Sequence, residues 1–358
     1  MASKSFDHLF GVLEVSPHAS DEVLHAAFKA LMVKNHPDRH KGNDRRAKEI
    51  SEAYQILSDP KARARYTPDL DNLEGMEIEG LRIIKKIAKG GFGCTYKAEH
   101  LITGELVCIK DCSNFDARSR DEERLQEQIL IEEARAMWNL RHYSVPAVRN
   151  VIRLPNRNLG LIMSFIPGPT ITQIWEELTP PKERLDPEHV AWITERVLNA
   201  LRYIHYQGVI HGDLKPHNII IEPYKHLATI VDFGLSKVKP REHSGNKGYT
   251  DLFSAPEVLA GGTIIPESDF YSLGMTMIFA LSGTPEHVEQ REVPHNTPAP
   301  MKNFIKKLIV RNPLDRPQWP NDPNTPDLWD EFLKVRTESF GRSRSKLKPI
   351  PGNYDKYK

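Results

Sequence analysis

From residue 21 onward, apolar side chains recur every three to four positions. Val23, Ala27, Phe28 and Leu31 form one helical stripe. Asp21 and Glu22 suit the start of such a helix, and Ser20 before them is a good N-cap. The stripe stops before His36-Pro37-Asp38, because proline lacks an N–H and pushes its predecessor out of the helical region. A second stripe carries Ala47, Ile50, Ala53, Tyr54, Ile56 and Leu57 and fades at Ser58-Asp59-Pro60. Two helices with a polar tip predict a small all-α helical hairpin over residues 1–68. The acidic, glycine-containing stretch 69–78 reads as a linker.

After residue 79 the pattern shifts to short strand-like runs. Leu81 to Ile87 and Cys94 to Ala98 flank a glycine-rich turn, and Val107-Cys108-Ile109-Lys110 and Leu159 to Ser164 follow. Between the last two, a helix is predicted from about Arg118 to Leu140, with Ile129, Glu133, Met137 and Leu140 on one face. Asp186-Pro187-Glu188 opens a long helix as N-cap and first-turn proline, and Gly208 closes it. Strands first and helices later predict an α+β domain over 79–336. The segment 337–358 carries Arg342, Arg344, Lys346 and Lys348 and then prolines, a composition expected to be disordered.

Composition narrows the classes. The chain has 358 residues, enough for a large domain and a small one, with a formal net charge of +1. That balance gives no reason to expect nucleic acid as a partner. No apolar run reaches the roughly 20 residues of a membrane span, so no membrane partner is expected. Three cysteines, Cys94, Cys108 and Cys112, fit reduced thiols and a cytoplasmic setting better than a disulfide scaffold.

Several polar residues stand where chemistry would need them. In Ile87-Ala88-Lys89-Gly90-Gly91-Phe92-Gly93 the glycines would let backbone N–H groups approach phosphates. Lys110 ends a strand, and a phosphate-binding amine there must be held by a carboxylate. Glu132 is rotated by about 100° from Glu133 around a helix. Only Glu133 lies on the inward stripe, so Lys110–Glu133 is the expected pair. His211-Gly212-Asp213-Leu214-Lys215-Pro216-His217-Asn218 precedes Asp232-Phe233-Gly234 by fourteen residues. Asp213 reads as the group that accepts or orients a hydroxyl proton, and Lys215 as a counter-charge for a moving phosphoryl group. Asn218 and Asp232 are hard oxygen donors suited to Mg²⁺, with Mn²⁺ as the alternative metal.

Two resemblances follow from these motifs. Phe10 to Val15, the helix entering His36-Pro37-Asp38, Ala53 to Pro60 and Ala62-Arg63-Ala64-Arg65-Tyr66 fall in the order of a J-domain. That resemblance implies docking to a DnaK-class chaperone through His36, Pro37 and Asp38, with Lys29 and Lys34 facing an acidic partner surface. Residues 79–336 resemble a eukaryotic-type protein kinase, from the glycine loop through Ala255-Pro256-Glu257, Asp269 and Arg316. This implies two lobes, an N-lobe of about 79–163 and a C-lobe of about 167–336, binding ATP between them.

The nucleotide would touch Ile87, Ala88, Lys89, Gly90, Gly91, Phe92, Gly93 and Thr95 above. Cys108, Lys110, Met163 and the backbone of Ser164 and Ile166 would complete its site. Asp269 would anchor the catalytic loop, Glu257 would pair with Arg316, and Phe233, His211 and Met137 would stack as a hydrophobic spine. The Asp-Leu-Lys-Pro-x-Asn form implies serine and threonine hydroxyls of proteins as acceptors. Gly212 stands where the family has an arginine that binds activation-segment phosphate, so that phosphorylation is expected to be dispensable. A pseudokinase scaffold, favoured only by Ala88, Thr95 and Gly212, and a mainly co-chaperone role are the alternatives.

Overall fold

The computed structural model describes residues 6–15, 19, 21–35, 45–59, 73–90, 93–112, 120–155, 158–178, 185–234, 250–282, 285–322, 324–341 and 350–357. The chain divides into two compact units, 1–76 and 77–358.

The first unit contains α1 (Phe6–Val12), α2 (Asp21–Lys34) and α3 (Arg45–Ser58). Leu9, Phe10 and Leu13 pack with Leu24, Leu31, Ile50, Ala53 and Leu57 into a closed core. Phe28 stacks on Tyr54 at 4.1 Å, tying α2 to α3. The stripe of α2 differs by one position from the expected one: Leu24 is buried, while Val23 is 50% exposed. Leu24, Phe28 and Leu31 are spaced i, i+4, i+7, so the face runs through Leu24. Ser20, His36, Pro37, Asp38 and the 62–66 run lie outside the described residues.

The second unit begins with a six-stranded antiparallel sheet: β1 (Glu77–Ile78), β2 (Leu81–Gly90), β3 (Gly93–His100), β4 (Leu106–Asp111), β5 (Val148–Arg153) and β6 (Leu159–Ser164). Their order is β1-β2-β3-β4-β6-β5. Residues 77–78 therefore belong to the sheet rather than to a linker. Glu79 and Gly80 both have positive φ, 47° and 80°, the backbone of a two-residue hairpin turn. The helix α4 (Arg120–Met137) lies between β4 and β5 in sequence. Ile129, Glu133, Met137 and Leu140 are all buried.

Helices dominate thereafter. They are α5 (Ile171–Glu177), α6 (Pro187–Tyr206), α7 (Thr250–Phe253), α8 (Pro256–Leu259), α9 (Pro266–Ser282), α10 (Pro285–Gln290), α11 (Ala299–Leu308) and α12 (Leu328–Phe340). A two-stranded ladder, β7 (Ile219–Glu222) with β8 (Leu227–Ile230), follows the catalytic-loop motif. Asp186 caps α6 by accepting from the Glu188 N–H at 2.9 Å, with Pro187 in the first turn. Every residue of α9 from Ser268 to Ser282 is buried, as a helix that is apolar all round requires.

Residues 337–341 and 350–357 depart from the expected disorder, while Arg342, Arg344, Lys346 and Lys348 lie outside the described residues. The helix α12 continues to Phe340 and is closed by Gly341, whose N–H bonds Thr337 O at 2.8 Å. Ile350 and Tyr354 are 4% and 2% exposed and join the main core. Composition underrated this segment because two apolar anchors suffice when the surface they meet is already folded.

Arg316 is fully buried. Its guanidinium donates to both Glu257 carboxylate oxygens at 2.7 and 2.8 Å, and to the carbonyls of Val310, Arg311 and Glu267. Burial pushes the Glu257 carboxyl up, but the Arg316 hydrogen bonds hold it below its ordinary value. Removing one partner leaves a buried, uncompensated charge. Glu257→Ala is therefore expected to cost about 3–5 kcal/mol in urea unfolding. A loss below about 1 kcal/mol, the scale of an exposed pair, would contradict it.

Candidate active site

The site sits between the sheet and the helical part of the second unit. Strand β4 carries Lys110 and helix α4 carries Glu133. Lys110 Nζ lies 2.9 and 2.7 Å from the Glu133 oxygens and 2.6 Å from Asp232 Oδ1. Glu132 instead accepts from Gln128 one turn away. Glu133 also accepts from the Phe233 N–H at 3.2 Å. One carboxylate thus joins a strand lysine, a helix and the Asp-Phe-Gly turn. Burial alone would lower the Lys110 ammonium, but Asp232 and Glu133 raise it above its ordinary value. Burial likewise opposes ionisation of Asp232, yet the Lys110 charge holds its carboxyl at about 2. Asp232 has φ 67°, a left-handed backbone that is uncommon outside glycine. A β-carbon on Gly234 would lie 3.4–3.6 Å from Asp232, Glu133 and Lys110.

The catalytic-loop motif is held from behind by Asp269 on α9. Asp269 accepts from the backbone N–H groups of His211 and Gly212, both at 2.8 Å, and from His205 Nε2 at 2.8 Å. Trp319 donates to His205 Nδ1, which fixes the tautomer that donates through Nε2. Burial opposes the Asp269 charge, and the His205 hydrogen bond outweighs it, keeping the carboxyl below its ordinary value. Gly212 has φ 78°, where glycine carries no steric cost. His211 meets Phe233 edge-on at 4.8 Å, and Met137 is buried in the same core.

Asp213 projects beside Lys215 and Asn218. Lys215 Nζ lies 2.7 Å from Asp213 Oδ2. The Asn218 amide nitrogen donates to Asp213 O at 2.8 Å and to Oδ2 at 3.2 Å. Burial raises the Asp213 carboxyl above its ordinary value, opposed by Lys215. With its nitrogen committed, Asn218 has its carbonyl oxygen left for a cation. Among the described residues no group of three His, Cys, Asp or Glu side chains is placed to hold a metal. Asn218 and ionised Asp232 together fit Mg²⁺, which takes few protein oxygens and completes its shell with phosphate and water.

Both residues line a cleft of about 580 Å³, within the range of small-molecule sites. Ile87, Ala88, Thr95, Cys108, Met163, Ser164 and Ile166 line it too. Lys89 and Gly93 border the adjoining cavity. Gly90 ends β2, and Gly91 and Phe92 lie outside the described residues. The Ser164 N–H is spent on Ala147 O at 2.9 Å. Burial pushes the Cys108 thiol up to about 12, so it is an inert wall.

The sequence model of the protein kinase domain matches residues 81–335. The chain belongs to the protein kinase family. The model of the DnaJ domain matches residues 8–67. Among relatives, the chain is 28% identical over 251 residues to serine/threonine-protein kinase pakE of Dictyostelium discoideum, covering 65% of this chain and 26% of that one. It is 30% identical over 257 residues to the maternal embryonic leucine zipper kinase of Xenopus laevis, covering 70% and 35%. The chain thus spans about a quarter to a third of the length of these relatives. The solved kinase domain of Mycobacterium tuberculosis PknI shares the fold, with TM-score 0.55 and 22% identity over 74% of this chain and 98% of that one.

Sequence reasoning missed some of the kinase domain's cleft. Ile220 on β7 and Val231 just after β8 flank the catalytic motifs and could have been placed by register. Lys97 gave no signal, nor did Lys356 and Tyr357, which reach the cleft from far along the chain; His205, which bonds Asp269 behind the loop, gave none either.

Proposed function

We propose that the second unit is an active serine/threonine protein kinase, transferring the γ-phosphoryl group of ATP to protein hydroxyls. The observation that carries this is Lys110 bridging Glu133 and Asp232 within the cleft that Asn218 lines. Lys110 holds the α- and β-phosphates, and backbone N–H groups of the 88–93 loop cover them. Asn218 and Asp232 would hold Mg²⁺, which would supply positive charge to the phosphate oxygens. Asp213 orients the acceptor hydroxyl and takes its proton, while Lys215 offsets the charge that develops on the moving group. No side chain with such a role is missing, which favours an active enzyme over a pseudokinase scaffold.

The first unit we read as a J-domain that engages a DnaK-class chaperone through His36, Pro37 and Asp38. Its closed core and the DnaJ-domain match support this reading. Exposed Lys29 and Lys34 on α2 suit an acidic partner. His36→Gln should abolish stimulation of the chaperone's ATPase; undiminished stimulation would refute the docking role. A cytoplasmic setting suits the three free cysteines.

Transfer of radiolabelled phosphate from ATP tests the kinase reading. Asp213→Ala should reduce transfer at least about 100-fold; a wild-type rate would sink the assignment. Asp213 works as a carboxylate, so activity falls as pH drops through its raised pKa. Lys215 holds that pKa down. Lys215→Ala should therefore move the acid limb to higher pH, and a shift to lower pH would contradict the pairing. Because Gly212 has no side chain to bind a phosphate on the activation segment, which runs from Asp232-Phe233-Gly234 to Ala255-Pro256-Glu257 and includes Ser244 and Tyr249, Ser244→Ala and Tyr249→Phe should each keep transfer within about 100-fold of wild type, or ~2.7 kcal/mol. A larger loss in either would show that the segment needs its phosphate. Ser244 and Tyr249 lie outside the described residues.

A further inference from the structure

Residues 350–357 end against the nucleotide cleft. Ile350 and Tyr354 anchor the segment in the main core. Beyond that anchor, Lys356 Nζ lies 2.6 Å from Glu177 Oε1. The Tyr357 hydroxyl donates to the same oxygen at 3.1 Å. The Gly168 N–H donates to Tyr357 O at 3.3 Å. Gly168 and Glu177 bracket the stretch that leads from residues 165–168, the hinge between the two lobes in the kinase reading, through α5, so the segment clamps both ends of it.

The docking point is constrained by sterics. Residues 168–170 run beside β7, with Thr170 bridged to Ile220 and the Ile221 N–H bonded to Pro169 O at 2.8 Å. Gly168 has φ +132°, and a β-carbon there would fall 2.0 Å from Ile221 O. Only glycine lets the hinge approach β7 this closely while its N–H meets Tyr357. Lys356 and Tyr357 also line the cleft itself, beside Ile166, Gly168 and Thr170. Lys356 joins Lys85, Lys86, Lys97 and Lys110 around that space, which Glu133 and Asp232 also line. Five ammonium groups against two carboxylates suit a polyanionic ligand.

We propose that residues 350–357 form part of the nucleotide site. The segment closes the hinge side of the cleft and holds the hinge in its binding geometry, so affinity for a nucleoside triphosphate depends on it. This rests on the kinase reading above. Lys356 and Tyr357 act as positioning residues on the nucleotide rather than on the acceptor protein.

The test is titration of the full chain with a non-hydrolysable ATP analogue and Mg²⁺. It compares wild type, the double variant Lys356→Ala/Tyr357→Ala, and a chain stopped after Gly341. Both variants should bind about five- to tenfold more weakly, the scale of one or two net hydrogen bonds. The KM for ATP should rise equally, with kcat unchanged. A nucleotide that binds better with the segment docked lowers the population of its detached form, so the analogue should slow tryptic cleavage after Lys356. The double variant changes only an exposed and a half-buried side chain, so it keeps the test open if the shortened chain fails to fold. Wild-type affinity in the double variant, with cleavage indifferent to the analogue, overturns the proposal alone. A wild-type chain that binds no nucleotide overturns the kinase reading and this proposal together.

Discussion

A buried ammonium group needs carboxylates around it, and the second unit is arranged about one such group. Lys110 comes from the sheet, Glu133 from the helix after it, and Asp232 from a turn 122 residues downstream. Their meeting sets the position of α4 against the sheet and the conformation of the Asp-Phe-Gly turn at once. It also carries a strained element, since Asp232 sits at positive φ, a state costing about 1–3 kcal/mol. The Lys110 contact and the Phe233 N–H to Glu133 keep that turn in place. Moving any of the three groups would leave a charge in a poor solvent, so the arrangement is cooperative rather than a sum of separate contacts.

A second polar hub supports the first from the helical side. Asp269 gathers two backbone N–H groups of the catalytic loop and one imidazole, and so fixes where Asp213 projects. Gly212 gives this loop its left-handed step without a side chain. In the function proposed above, the same residue also lacks a side chain to read a phosphate on the activation segment.

How much of this was legible in the sequence depends on the range of the interaction. Strand and helix periodicity placed β2, β4, β6, α4 and α6 closely, because each buries one face. The choice of Glu133 over Glu132 followed from helical phase alone. The α2 stripe was misplaced by one residue, since Val23 and Leu24 are both apolar and only packing against α1 and α3 decides between them. The role of His205 depends on Trp319 and Asp269, which sequence alone does not bring together. The 350–357 segment was misread because its composition is polar and proline-containing, while its order comes from two buried anchors and a backbone bond to a glycine about 190 residues earlier.

In the function proposed above, the Lys110–Glu133–Asp232 cluster holds a metal-bound nucleotide. That role is tested most directly by calorimetric titration of Mg²⁺ and a non-hydrolysable ATP analogue into wild type and Glu133→Gln. Neutralising Glu133 leaves Lys110 held by Asp232 alone while preserving shape, so affinity should fall at least about tenfold, or ~1.4 kcal/mol, with the folded state retained. Equal affinity in the two proteins, or no binding by wild type, would contradict the account.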